Sequence, residues 1–216
     1  MKSDEVSTGR RAYDASGRQA QARATRARIR EAATELFVEH GFASTSIGAI
    51  AKAAGVAPQT VYGAFGSKVK LLGEAVEVAL AGDDEPIAVY DRPASQQVVE
   101  ADTAAAAVAA LAAACRGIFE RVAALLAAAT VAAADEPELA AMARGGAEGR
   151  LIDMRRSVAE LAAKGFLRDG VDEADAVDHV WALTSPELYL SCVRDRGWTP
   201  DRYERWLRDA LGLVIG

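Results

Sequence analysis

Histidine and cysteine are nearly missing from this sequence, and their scarcity closes several lines of chemistry. There are two histidines, His40 and His179, far apart and without metal-ligand spacing. There are two cysteines, Cys115 and Cys192, with no CxxC pair. They read as core thiols of a reducing compartment, not as a disulfide framework or a zinc site. Neither histidine has a nucleophile or carboxylate at a spacing that would make a catalytic constellation. Gly145, Gly146 and Gly149 lack the preceding strand that a phosphate-cradling loop needs. The expectation is therefore no enzyme, no cofactor and no metal. Long apolar runs are missing too. The longest, residues 104–115, is mostly alanine and falls short of the ~20 residues that span a bilayer. With no signal peptide evident, a cytoplasmic protein without a membrane partner is expected.

What is present is a large apolar fraction, 51%, much of it alanine. Alanine has the highest helix propensity and lets helices approach closely, so an all-α fold with a core independent of metals or disulfides is expected. The net charge of −6 argues against a nucleic-acid partner, but its distribution does not. Residues 1–82 hold 11 basic and 8 acidic side chains, whereas residues 83–216 hold 14 and 23. Any contact with phosphate belongs to the first part.

That part contains the stretch TSIGAIAKAAGVAPQTVYGAFGSK, residues 45–68. Ile47, Ile50, Ala51 and Ala54 share one helical face. Thr45 or Ser46 can cap that helix, and Gly55 suits a turn through positive φ. Pro58 fits the first turn of a second helix, which carries Gln59, Thr60 and Tyr62 outward and Val61 and Phe65 inward. A helix, a tight turn and a second helix with polar tips is the geometry that sets a recognition helix in the DNA major groove.

Residues 28–76 as a whole resemble the DNA-binding domain of the TetR family of bacterial transcriptional regulators. The resemblance rests on Gly41-Phe42, Thr45-Ser46, Ile50-Ala51, Ala54 to Val56, and Tyr62, Phe65, Lys68 and Leu71. It implies a fold of a three-helix reader followed by a larger helical domain for effector binding and dimerisation. It implies DNA contacts from Thr45, Ser46, Pro58, Gln59, Thr60, Tyr62 and Lys68. Gln59 and Thr60 would face base edges, and Tyr62 and Lys68 would hold phosphate. Two departures bear on DNA preference. Ala57 stands where a capping serine is common, and Gly63-Ala64 replaces bulkier or polar residues.

The organisation expected is a flexible tail over 1–15, the reader over 16–66, a connecting helix over 67–82, and the effector and dimerisation domain over 83–216. The first helix starts at Ser16, with Gln19 as capping partner, or near Thr25. Arg18, Arg23, Arg26, Arg28 and Arg30 crowd its early turns against the helix dipole. They are drawn either to phosphate or to solvent. Arg10 and Arg11 are candidates for a DNA-reaching arm or for an ordinary tail. His40 reads as a surface or C-terminal capping residue. Ser67 caps the connecting helix, Pro86 and Pro93 bracket a loop, and Gly117 is a bend or break in a long helix. Pro137 opens a helix to about Lys164, and Asp172 caps another to about Asp195, kinked at Pro186. Thr199 and Pro200 start the last one.

Within the second domain, Phe119, Met142, Met154, Trp181, Thr184, Tyr189 and Cys192 are candidates to line an effector cavity, each equally readable as plain core. The few buried-looking charges point to a small, largely apolar effector. Tyr203, Trp206, Leu207, Leu211 and Val214 form a strong apolar stripe. The resemblance assigns it to a homodimer matching a palindromic or pseudo-palindromic double-stranded operator, while the stripe alone fits an internal core equally well. The leading expectation is a repressor released by its effector. Alternatives are a ligand-independent or activating regulator, and a helical interaction module without DNA binding.

Overall fold

The structure is a computed structural model that describes the backbone from Thr8 to Gly216, with side chains from Gly17 onward. The fold is all-α and divides into two compact units, residues 1–75 and 76–216. Among the described residues no helix is long and apolar enough to cross a membrane.

The first unit contains α1 (Thr8–His40), α2 (Ile47–Ala53), α3 (Pro58–Phe65) and the start of α4 (Lys68–Ala81). Its core is built from Ile29, Ala33 and Phe37 of α1, Ile50 and Ala51 of α2, Val61 and Phe65 of α3, and Leu71 and Leu72 of α4, all buried. Gly41 ends α1 at φ 79°, a conformation that a side chain would strain. Ser46, not Thr45, caps α2, accepting a hydrogen bond from the Ala49 N–H at 3.1 Å. Ser67 does the same for α4 through the Lys70 N–H.

α1 is longer than expected. It is already helical at Thr8, so Ser16 lies inside it and cannot be its N-cap. The arginine, glutamine and alanine of this stretch favour helix and outweigh Gly9 and Gly17. Residues 1–7 of the expected tail, and the side chains of Arg10 and Arg11, lie outside the described residues.

In the second unit, α5 (Pro93–Glu100), α6 (Ala104–Ala132), α7 (Pro137–Ala163), α8 (Glu173–Leu183), α9 (Pro186–Leu190) and α10 (Pro200–Leu211) surround one core. Val76, Ala79 and Leu80, from the later part of α4, pack against that core. Five prolines, Pro58, Pro93, Pro137, Pro186 and Pro200, each stand at a helix start, where the missing N–H is no loss. Pro93 therefore opens α5, and Pro186 opens a new helix instead of kinking an old one. Ser185 caps α9 through the Leu188 N–H at 3.1 Å. A π-helical turn, Ser191–Asp195, follows α9. Gly117 leaves α6 unbroken. An antiparallel bridge between Leu167 and Ile215 fastens the end of the chain.

Candidate nucleic-acid interface and effector site

The outward face of α3 is polar. Pro58, Gln59 and Thr60 are exposed, and Tyr62 keeps 54% of its surface. Val61 and Phe65, on the opposite side, are buried. Ala57 gives α3 no side-chain cap, and the Thr60 N–H turns back to the Ala57 carbonyl at 2.9 Å. Ser46, at the start of α2, is exposed as well.

Two residues expected on DNA have structural duties instead. Thr45 is 2% exposed, with its hydroxyl 2.8 Å from the Gly41 carbonyl and 3.1 Å from that of Leu36. The Lys68 ammonium donates to the carbonyls of Phe42 at 2.8 Å and Thr45 at 3.0 Å, and lies 4.1 Å from the centre of the Phe42 ring. The Gly41, Phe42 and Thr45 carbonyls lie beyond the hydrogen-bond ladder of α1, and these two donors bind them. Thr45 and Lys68 therefore close the turn between α1 and α2.

The arginine cluster divides likewise. Arg26 clasps Glu74, with Nε 2.8 Å from Oε1 and Nη2 against Oε2, and donates from Nη1 to the Ala64 carbonyl. Its guanidinium lies 4.2 Å from the centre of the Phe65 ring. Arg30 adds a 3.3 Å contact to Glu74. These two side chains tie α1 to α3 and α4 and are not poised over phosphate. Arg18, Arg23 and Arg28 are exposed. The lone acid on the first turns of α4 was the signal for this pairing.

The seven effector candidates fall into three places. Phe119, Tyr189 and Cys192 are buried beside Tyr203. The Phe119 and Tyr189 ring centroids are 5.5 Å apart, and Tyr189 meets Tyr203 edge-on at 4.9 Å. The Tyr203 hydroxyl is buried and has no hydrogen-bond partner among the described residues. Trp181, Thr184 and Met154 gather instead around Arg150, which sequence reasoning had not singled out. Its Nη1 donates to the carbonyls of Trp181 at 3.2 Å and Thr184 at 2.9 Å, and its guanidinium stacks 3.4 Å from the Trp181 ring centre. Those carbonyls end α8, so Arg150 is a cationic cap brought from α7. The Thr184 hydroxyl donates to the Val180 carbonyl at 2.6 Å, so it is no free polar handle. Met142 does not join either group. It is exposed on α7, in the stretch that carries Gly145, Gly146 and Gly149.

Residues 29–75, the stretch just described as a reader, match the family of bacterial regulatory proteins described as the tetR family. That stretch is a TetR-type DNA-binding domain. The HTH-type transcriptional regulator UidR of Escherichia coli K12 is 44% identical over 73 residues, covering 32% of this chain. The match spans 37% of that relative's length. Salmonella enterica GusR has the same fold at 26% identity and a TM-score of 0.61, over 87% of this chain and 93% of GusR. The fatty acid degradation regulator FadR of Bacillus halodurans, at 22% identity, shares the fold with a TM-score of 0.66 over 86% of this chain and 93% of its own.

The stripe assigned to a TetR-type dimer requires correction. Tyr203, Leu207 and Leu211 are 0% exposed and Val214 3% exposed within a single chain. They pack on α6 and α8, because the core made by those alanine-rich helices has room for large side chains. Trp206 alone among the five is half-buried, meeting Trp198 edge-on with ring centroids 6.0 Å apart. Large apolar side chains do reach the surface elsewhere, at Val131, Ile152 and Leu213.

Proposed function

We propose that this chain is a homodimeric transcriptional repressor. It reads a palindromic or pseudo-palindromic operator through α2 and α3, and releases it when a small, largely apolar ligand enters the domain of residues 76–216. The reading rests chiefly on one observation. Gln59, Thr60 and Tyr62 stand exposed on a short helix whose buried side is fixed, within the stretch that matches the TetR family. Gln59 and Thr60 have the length and polarity to read base edges. Tyr62, Ser46 and the Gln59 N–H in the first turn of α3 supply phosphate donors. The basic excess of residues 1–82 favours the same partner.

The effector belongs with Phe119, Met154, Trp181, Thr184, Tyr189 and Cys192, in the core of the second unit. α4 runs through the boundary between the units, and its last carbonyls, of Ala79 and Leu80, accept hydrogen bonds from Arg121 of α6 at 3.0 and 3.3 Å. A ligand that prefers one arrangement of α6 would shift α4, and with it the reader. The test is retardation of DNA selected from a random pool, at two salt concentrations. A regulator retains a preferred sequence and loses affinity as salt rises. A helical interaction module retains none.

A further inference from the structure

Five arginines among the described residues are half-buried: Arg26, Arg30, Arg92, Arg116 and Arg150. Four have a carboxylate partner. Arg26 and Arg30 share Glu74, Arg92 meets Asp83, and Arg116 meets Glu120, Asp201 and Glu204. Arg150 has none within 4.0 Å among the described residues. Neutral oxygens hold it, and through Nη1 alone: the Trp181 and Thr184 carbonyls, with the Thr184 hydroxyl at 3.5 Å. Among the described residues Nε and Nη2 have no acceptor, and neither is sealed from solvent. One edge of the guanidinium thus caps α8, and the other is uncommitted.

The surroundings are apolar. Leu151 and Met154, on α7 beside Arg150, and Leu183 and Leu188, next in sequence to the α8 end that it caps, lie half-buried against the core. Burial depresses the Arg150 pKa, and the nearby Glu187 and Cys115 offset this only in part. Guanidinium still carries its charge at neutral pH. A half-buried guanidinium with no carboxylate in contact has room for one, and a planar fork with two free N–H groups matches a carboxylate edge to edge. The same core holds a second uncommitted polar group, the Tyr203 hydroxyl. Both groups lie within electrostatic reach of Cys115 on α6.

We propose that Arg150 is the anchor of the effector, and that the effector is an amphipathic monocarboxylate. Its carboxylate pairs with Nε and Nη2, and its apolar body lies along Met154 and the Phe119–Tyr189 cluster. A single cation suits one negative charge, and a phosphate dianion would require a second. This adds one negative charge to the small, largely apolar ligand expected from sequence, and it rests on the effector-responsive reading given above.

The experiment is calorimetric titration of the full chain, without DNA, with octanoate and phenylacetate and with their uncharged counterparts octanol and phenethyl alcohol. Wild type is compared with Arg150→Lys and Arg150→Met, each checked for an unchanged helical spectrum. A carboxylate should bind more tightly than its alcohol in wild type. That preference should fall about 10-fold to 100-fold in Arg150→Met, the loss expected for a charged hydrogen-bonded pair. It should fall less in Arg150→Lys, which keeps the charge and the α8 cap but not the fork, and which serves as the informative variant if Arg150→Met fails to fold. Alcohols binding as well as acids in wild type, no measurable binding of either acid, or an undiminished preference in both variants would each overturn the proposal. Because DNA is absent, failure of the regulatory reading appears separately, as carboxylate binding that leaves operator affinity unchanged.

Discussion

At the scale of single residues, what decides a role is whether a donor is already committed. Lys68 spends its ammonium on the Phe42 and Thr45 carbonyls. Lys68→Met should lower stability by roughly 1–3 kcal/mol, the cost of leaving buried acceptors unmade. At a temperature where the variant stays folded, the salt dependence of DNA binding should be unchanged. A decrease of about one in the salt slope would return Lys68 to the phosphate. Tyr203 presents the opposite case, a buried hydroxyl with no partner among the described residues. Tyr203→Phe keeps the ring packing and removes an unsatisfied group, so its denaturation midpoint should equal or exceed that of wild type. Cys115 is inert for a related reason, since burial pushes its thiol up from 9.0 to about 12. The folded chain then holds a proton that the unfolded chain releases. Stability should therefore fall as pH rises from about 9 toward 12, and part of that slope should vanish in Cys115→Ala. Denaturant melts at several alkaline pH values would reveal it.

At the scale of elements, helix starts were legible in the sequence because their chemistry is local. Asp172 and Thr199 cap α8 and α10 through the Asp175 and Arg202 N–H groups, as their positions implied. Proline at a helix start was equally local, although Pro186 resembled a kink until Ser185 proved to be a cap. The α10 stripe was visible too, but its partner was not. An amphipathic period states that a face is buried and not what buries it, and here the occupant is α6 of the same chain. The charges were the least legible, since pairing Arg26 with Glu74 requires knowing which helices adjoin. Arg150 left a faint trace, one turn before Met154 on the side of α7 that carries Leu151, Val158 and Leu161. Correcting the stripe changes a prediction. Leu207→Ala should cost about 2–5 kcal/mol by leaving a cavity in the core. Sedimentation of the folded fraction should then show the oligomer of the wild type. A folded, stable monomer would restore the stripe to a subunit interface.

At the scale of the whole molecule, charge and connection argue together. The basic excess lies in residues 1–82 and the acidic excess in residues 83–216, which keeps phosphate at one part of the chain. α4 is the one covalent path between the two units, and the fork of Arg121 fastens its end. Arg121→Ala should bind operator and ligand with near wild-type affinity, yet release DNA less on ligand addition. Binding curves for each partner, measured alone and together, would show that loss of coupling. The central claim is that α3 reads DNA sequence with its exposed face, and one measurement addresses it most directly. Fluorescence anisotropy on the selected operator and on a scrambled duplex, for wild type, Gln59→Ala and Thr60→Ala, gives the specificity ratio of each protein. Wild type should prefer the operator, and each variant should lose about 1–3 kcal/mol of that preference while binding scrambled DNA as before. Equal affinity of wild type for both duplexes, or an unchanged ratio in both variants, would contradict the account.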